Sequence, residues 1–322
     1  MFDVITLGSA TKDIFLGAEK LKRGKDFCFP LGEKIEIENV RFFSGGGGIN
    51  TASTFARQGL KTAFCGVVGE DPAGTEIIKE LAGLGVDTEL LKVKKGKSTD
   101  LGLIFHAQNE RTIILHHGIS RSLGKQDIDW SKLKETKWFY LAPLWGKAAK
   151  LTVALVDFAK ENKIKTALNP SLDQLSLPNI KEIIRDVDVL ILNDDEASFL
   201  TGVKPFKEKA IFQKLSPNCL SSELKHCVVV TRGKKGALAC DGKFIYNIPA
   251  PLVKVIDTTG AGDSFGSGFV AGLIQTKRIE KAMQLGMANA ISNIQVFGAN
   301  QGLLKKNQPS LKIKTRKTKW SV

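Results

Sequence analysis

The sequence predicts an α/β protein: a doubly wound, mostly parallel sheet with helices on both faces, plus a small β-sheet lid. Two observations carry this. Short apolar strand patterns alternate with longer amphipathic helical ones, the rhythm of a parallel sheet covered on both sides. Separate stretches of strict apolar–polar alternation interrupt that rhythm early in the chain, as a second, half-exposed sheet would.

The elements follow in order. Asp3–Leu7 reads as a first strand, Thr51–Gln58 as a helix ended by Gly59, and Thr62–Val68 as a second strand. Pro72–Leu84 reads as a helix, with Pro72 in its first turn and Gly85 at its C-terminal cap. Lys137–Leu141, Lys165–Leu168, Val187–Leu192 and Cys227–Thr231 are strand patterns, and Lys147–Asn162 is helical. Phe265–Gln275 and Ile279–Val296 are late helices. The alternating stretches are Lys34–Phe43, Thr99–Ala107 and Arg111–His117; the last two suggest an antiparallel hairpin. The lid is expected from about 12–16, 33–44 and 97–119, within a domain spanning 1–304.

Composition narrows the class. The 322 residues are 43% hydrophobic and 25% charged, ordinary for a packed globular chain. The five cysteines form no C-x-x-C pair, so reduced thiols and a cytoplasmic setting are the expectation. No apolar run approaches the roughly 18 residues of a membrane helix, and no targeting signal opens the chain. The net charge of +14 first suggests an anionic partner. Half of it lies in residues 305–322, which hold seven basic side chains and no acid. That stretch is expected to be a flexible basic tail.

Two glycine-rich turns carry the chemistry. Asp257-Thr258-Thr259-Gly260-Ala261-Gly262-Asp263-Ser264-Phe265 precedes an apolar helix. Backbone N–H groups and the helix N-terminus together make an anion site there. Asp263 would repel an anion; it is equally suited to capping the helix or to taking a proton from an attacking hydroxyl. Gly45-Gly46-Gly47-Gly48-Ile49-Asn50 opens another helix. Such a run costs folding entropy and suits a place where a ligand approaches the backbone, or a hinge. No G-x-x-x-x-G-K-[ST] motif is present, which excludes a P-loop. Gly266 to Ala271 matches G-x-G-x-x-A but lies inside a helical pattern, where small residues serve helix packing.

These motifs resemble those of the ribokinase-like carbohydrate kinases, the PfkB family. Gly45–Gly74 resembles the first family signature and Asp257–Leu273 the second. Asn193-Asp194-Asp195-Glu196 matches N-x-x-E, and Thr231-Arg232-Gly233-Lys234-Lys235-Gly236 resembles the T-x-G-x-x-G nucleotide segment. The resemblance implies an ATP-dependent kinase that transfers the γ-phosphoryl group to a hydroxyl of a small sugar or sugar derivative. It implies Asp263 as general base, with Gly260, Ala261 and Gly262 forming the anion hole. Asn193 and Glu196 would place Mg²⁺ and the phosphates, chiefly through water. Thr231 and Gly233 would contact the nucleotide, with Gly236 and Asn289 near the adenosine. Asp13, Gly46, Gly47 and Asn50 would bind the acceptor's hydroxyls. Asp257 and Thr259 resemble ligands of a monovalent cation, usually K⁺.

Two departures bear on the acceptor. Thr11 and Gly47 stand where ribokinases resemble one another in carrying Asn and Lys, which removes two side chains that would hold ribose. A nucleoside kinase is the alternative, with Phe42, Phe43 and Phe105 available to stack on a base. A non-catalytic, nucleic-acid-associated regulator is a third reading, and the intact motifs weigh against it. Arg111, on the lid, is placed to reach substrate or phosphate. No membrane partner is expected, and many relatives pair as homodimers through the lid edge.

Overall fold

A computed structural model describes residues 1–107, 110–205, 207–215, 227–308 and 310–320. In chain order its main elements begin with β1 (Val4–Leu7), β2 (Thr11–Gly17), β3 (Val40–Gly45), α1 (Gly47–Arg57), β4 (Thr62–Gly69) and α2 (Pro72–Gly83). Then come β5 (Leu91–Lys94), β6 (Asp100–Ala107), β7 (Glu110–His116), β8 (Trp138–Leu141), α3 (Leu151–Glu161), β9 (Lys165–Leu168) and β10 (Val189–Asn193). The chain ends with α4 (Asp194–Thr201), β11 (Cys227–Thr231), β12 (Ala237–Cys240), β13 (Phe244–Ile248), α5 (Ala261–Thr276), α6 (Ile279–Asn293) and β14 (Arg316–Lys319).

Ten strands form the main sheet in the order β14-β13-β12-β11-β10-β9-β8-β1-β4-β5. The strands from β11 to β5 run parallel, and β12, β13 and β14 continue the sheet antiparallel. Residues alternate between its faces: Phe139 and Leu141 of β8 join a core with Leu155 and Phe212, while Trp138 and Tyr140 join Phe55, Phe265 and Phe269 on the other side. The doubly wound expectation therefore holds. The chain winds outward from β1 in one direction and from β8 in the other. A crevice opens at their C-terminal ends, where such sheets bind ligands.

The lid is a second sheet of four strands, ordered β3-β2-β6-β7. Its β3 begins only at Val40, although the alternating pattern starts at Lys34. Gln108 and Asn109, at the turn of the expected hairpin, lie outside the described residues, but its arms pair antiparallel as β6 and β7.

Helix α1 begins four residues earlier than its apolar pattern, inside the glycine run. Gly46 adopts φ +92° at its N-terminal cap, and a Cβ there would press on Ser9 O at 2.7 Å. Helices α5 and α6 pack closely through small residues: a Cβ on Gly268 would lie 3.0 Å from the Gly286 Cα. This is the use expected for the G-x-G-x-x-A segment.

The basic C-terminus requires correction. It is not a free tail. Arg316–Lys319 pairs antiparallel with β13 as the sheet's outermost strand. Ile313 is buried, Lys306 N–H donates to Arg57 O at 2.8 Å, and Trp320 packs edge-on against Phe212. The physical reason lies in edge-strand chemistry. Charged side chains suit an exposed edge because they discourage further pairing, so a lysine-rich strand resembles a solvated tail. Lys317 lies 4.0 Å from the centre of the Phe244 ring and pairs with Glu280.

Candidate active site

The two glycine-rich turns meet at the crevice. The Asp257–Gly260 turn leads into α5, with Gly260 at φ +71° as its cap. A side chain at Gly260 would collide with Ala299 O, so only glycine fits. Among the described residues the N–H groups of Gly260 and Gly262 have no protein acceptor, while that of Ala261 turns back to Thr258 O at 3.3 Å. The first turn of α5 thus presents free donors and a positive dipole end to the cleft.

Asp263 stands in that first turn. Its Oδ2 accepts a hydrogen bond from Asn50 Nδ2 at 2.8 Å, which ties α5 to α1 across the crevice. The residue is half-buried. Burial raises its pKa, and the Asn50 hydrogen bond partly opposes the rise. Asn50 itself is buried, and among the described residues its Oδ1 has no partner. Gly47 packs beneath: a Cβ there would sit 2.9 Å from Pro143 and 3.7 Å from Asp263 Oδ1.

Asp13, on β2 of the lid, faces the same glycine run. A side chain on Gly45 or Gly102 would collide with its carboxylate. Burial, reinforced by the nearby Asp257 charge and opposed by Lys12, raises its pKa to about 7. Among the described residues no hydrogen bond lowers it. A buried carboxylate without donors is well suited to hydroxyls that a ligand brings.

Asn193 and Glu196 form a reciprocal capping box at the start of α4. Asn193 Oδ1 accepts from Glu196 N–H, and Glu196 Oε2 accepts from Asn193 N–H, both at 2.8 Å. Burial raises the Glu196 pKa, and the charge of Asp263 adds to it. Glu196 therefore lies within electrostatic reach of Asp263.

A cleft of about 350 Å³ joins Thr231, Gly233 and Gly236 to Ala261 and Gly262. Gly233 and Gly236 both have positive φ, and a side chain at Gly236 would strike Ile248 O. Asn289 does not line this cleft, contrary to expectation. It is fully buried: Nδ2 donates to Ser264 O at 2.8 Å, and Oδ1 accepts from Leu304 N–H at 2.9 Å. Met287, Ala290 and Ile291, on the neighbouring face of α6, form the wall instead. Their spacing reads as a core stripe, and periodicity does not separate core from pocket wall.

A second cleft of about 450 Å³ lies under the lid, lined in part by Phe15, Ile104, His106, Arg111 and Phe297. Arg111 reaches Thr258 Oγ1 and comes within 3.7 Å of Asp257 Oδ1, so the lid touches the anion loop. Of the three phenylalanines proposed for stacking, Phe105 packs with Phe27 and Phe29 in the lid's own core. Phe42 is exposed, and Phe43 alone packs edge-on against Phe15, at 5.4 Å. Phe15 and Phe297 were not singled out in the sequence. Phe15 follows Asp13 by two positions on one strand, the spacing that puts both on one face.

Asp257 and Thr259, the expected cation ligands, are bonded to each other. Asp257 Oδ1 accepts from Thr259 N–H at 2.9 Å and from its hydroxyl at 2.6 Å.

Residues 1–306 match the family model described as pfkB family carbohydrate kinase. The chain belongs to the PfkB family of carbohydrate kinases. It is 28% identical to a Lactococcus lactis ribokinase over 319 residues, covering 98% of each chain. It is 24% identical to a cytidine kinase of Thermococcus kodakarensis, covering 92% of this chain and 98% of that one. Among solved structures, the fold matches Arabidopsis thaliana ribokinase complexed with ribose and ATP, with a TM-score of 0.77 and 23% identity. That match covers 94% of this chain and 96% of the other. A PfkB member is a phosphotransferase, and this chain carries the ribokinase-like fold with its separate small sheet.

The raised Asp13 pKa has a measurable consequence. The native state holds a proton that the unfolded chain releases near pH 4. Stability is therefore lost as pH rises toward about 7, on the order of a few kcal/mol. Asp13→Asn is expected to raise the thermal midpoint of the ligand-free protein at pH 8, with the gain vanishing near pH 4. Equal midpoints for both proteins at pH 8 would reject a strained Asp13 carboxylate.

Proposed function

We propose that this chain transfers the γ-phosphoryl group of ATP to a hydroxyl of a small sugar or sugar derivative. One observation carries the reading. Asp263, with raised proton affinity, stands in the first turn of a helix whose free amides face a cleft, and the carboxylate of Asp13 is buried against the glycine run that opens α1. Phosphoryl transfer needs positioned reactants, a proton acceptor and donors for the phosphoryl oxygens.

In this reading the nucleotide lies along Thr231, Gly233 and Gly236, with its adenosine against the apolar wall of α6. Its γ-phosphoryl meets the amides of Gly260, Ala261 and Gly262. The acceptor lies under the lid, its hydroxyls on Asp13, Asn50 Oδ1 and the backbone of Gly46 and Gly47. Asp263 takes the proton of the attacking hydroxyl. Lid closure excludes water that would compete for the phosphoryl group.

Mg²⁺ suits the donor set. Among the described residues no group of three or more His, Cys, Asp and Glu could hold a metal alone. Mg²⁺ is commonly held by phosphates, waters and one or two carboxylates, and Glu196, with Asn193 orienting it, supplies one. When bound, the ion neutralises phosphate charge.

A nucleoside acceptor is the second reading. The Phe15–Phe43–Phe297 group beside the under-lid cleft favours it, as does the likeness to a cytidine kinase. The regulator reading loses its main support, because the basic C-terminus is built into the sheet. We infer self-association through the lid from Ile113, Ile114 and Leu115, exposed on its outermost strand. Sedimentation showing only monomer at micromolar concentration would reject it.

A phosphorylation panel of ribose, fructose, 2-keto-3-deoxygluconate, adenosine and cytidine identifies the acceptor class. With the best acceptor, Asp263→Asn is expected to bind nucleotide normally and to lose about 10²–10⁴ in turnover. Near-normal turnover would remove Asp263 from the role of base.

A further inference from the structure

The turn that forms the anion hole is held in place by side chains of this chain, and the arrangement disagrees with a K⁺ site. A cation ordering such a turn would take oxygens from the turn and from the segment packed against it. Those oxygens already accept hydrogen bonds. Asn293, the last residue of α6, is fully buried. Its Nδ2 donates to Ala299 O at 2.8 Å and to Thr259 O at 3.4 Å, joining the two segments. Its Oδ1 accepts from Gly302 N–H at 3.1 Å, so each end of the amide is engaged.

Asp257 is similarly committed. One oxygen serves Thr259, and the other accepts from Gly298 N–H at 3.1 Å. Its countercharge is the Arg111 guanidinium from the lid. Each of these oxygens already gives at least one lone pair to a protein donor, which weakens it as a cation ligand, and Arg111 adds a positive charge where a cation would come.

We propose that Asn293 is a positioning residue that takes the place of a monovalent cation, so the anion hole of this chain forms without K⁺. Asn293 touches no reacting atom; it holds Thr259 and, through Ala299, the Gly260 turn. The inference rests on the reading of Gly260–Gly262 as the phosphoryl site.

The test is calorimetric binding of the ATP analogue AMP-PNP with MgCl₂ to the full chain, in KCl and in choline chloride at an ionic strength of about 0.1 M. The wild type is expected to bind with affinities that differ by less than about two-fold. A larger gain in KCl overturns the proposal, whatever the variants do. Asn293→Ala is expected to bind about ten-fold more weakly in choline chloride and to recover part of that loss in KCl. Loss without recovery would reduce Asn293 to a packing residue and overturn the substitution. If the variant does not fold, the wild-type comparison still decides. Failure of the wild type to bind in either salt would instead overturn the phosphoryl-site reading, and this inference with it.

Discussion

The hydrogen bond from Asn50 to Asp263 joins the two glycine-framed helix starts, and most of the site depends on it. Each helix N-terminus alone is an anion-attracting end. Together they hold a carboxylate between them. Burial raises the proton affinity of Asp263, and the Asn50 amide limits the rise. A base that is too acidic would not take a proton, and one that is too basic would already hold it. The Asn50 amide therefore moderates a proton affinity that burial alone would raise further.

That bond constrains the backbone around it. To bring Asn50 to Asp263, α1 must start against the β1–β2 turn, Pro143 and Phe64, which crowd a side chain at Gly46, Gly47 and Gly48 respectively. The anion turn must pack on Ala299, which leaves none at Gly260. The glycine runs are therefore consequences of close approach between backbone segments as much as of ligand access. The cost extends to Asp13, whose carboxylate is buried without protein donors. This is a stability sacrifice that an acceptor's hydroxyls would repay on binding.

The fold was largely legible in the sequence because its signals are local. Strand and helix periods alternate, and turn glycines mark the boundaries. The glycine-rich start of α5 was legible for the same reason: Asp257–Phe265 is one contiguous stretch. What escaped depends on contacts distant in sequence. Asn289 sits on the same helix as Met287 and Ile291, and only packing decides which of them faces the cleft. Arg316–Lys319 carries the composition of a solvated tail and the position of an edge strand. Phe297 and Asn293 belong to no motif and gain meaning only where α6 ends against the anion turn.

The pH dependence of kcat/KM tests the central pairing most directly, with wild type compared to Asn50→Ala on the best acceptor. Removing the amide takes away the hydrogen bond that opposes burial at Asp263, so the acidic limb of the profile should move to higher pH while activity falls.

 An acidic limb that stays in place, or moves to lower pH, would contradict the pairing of Asn50 with Asp263 as the proposed base.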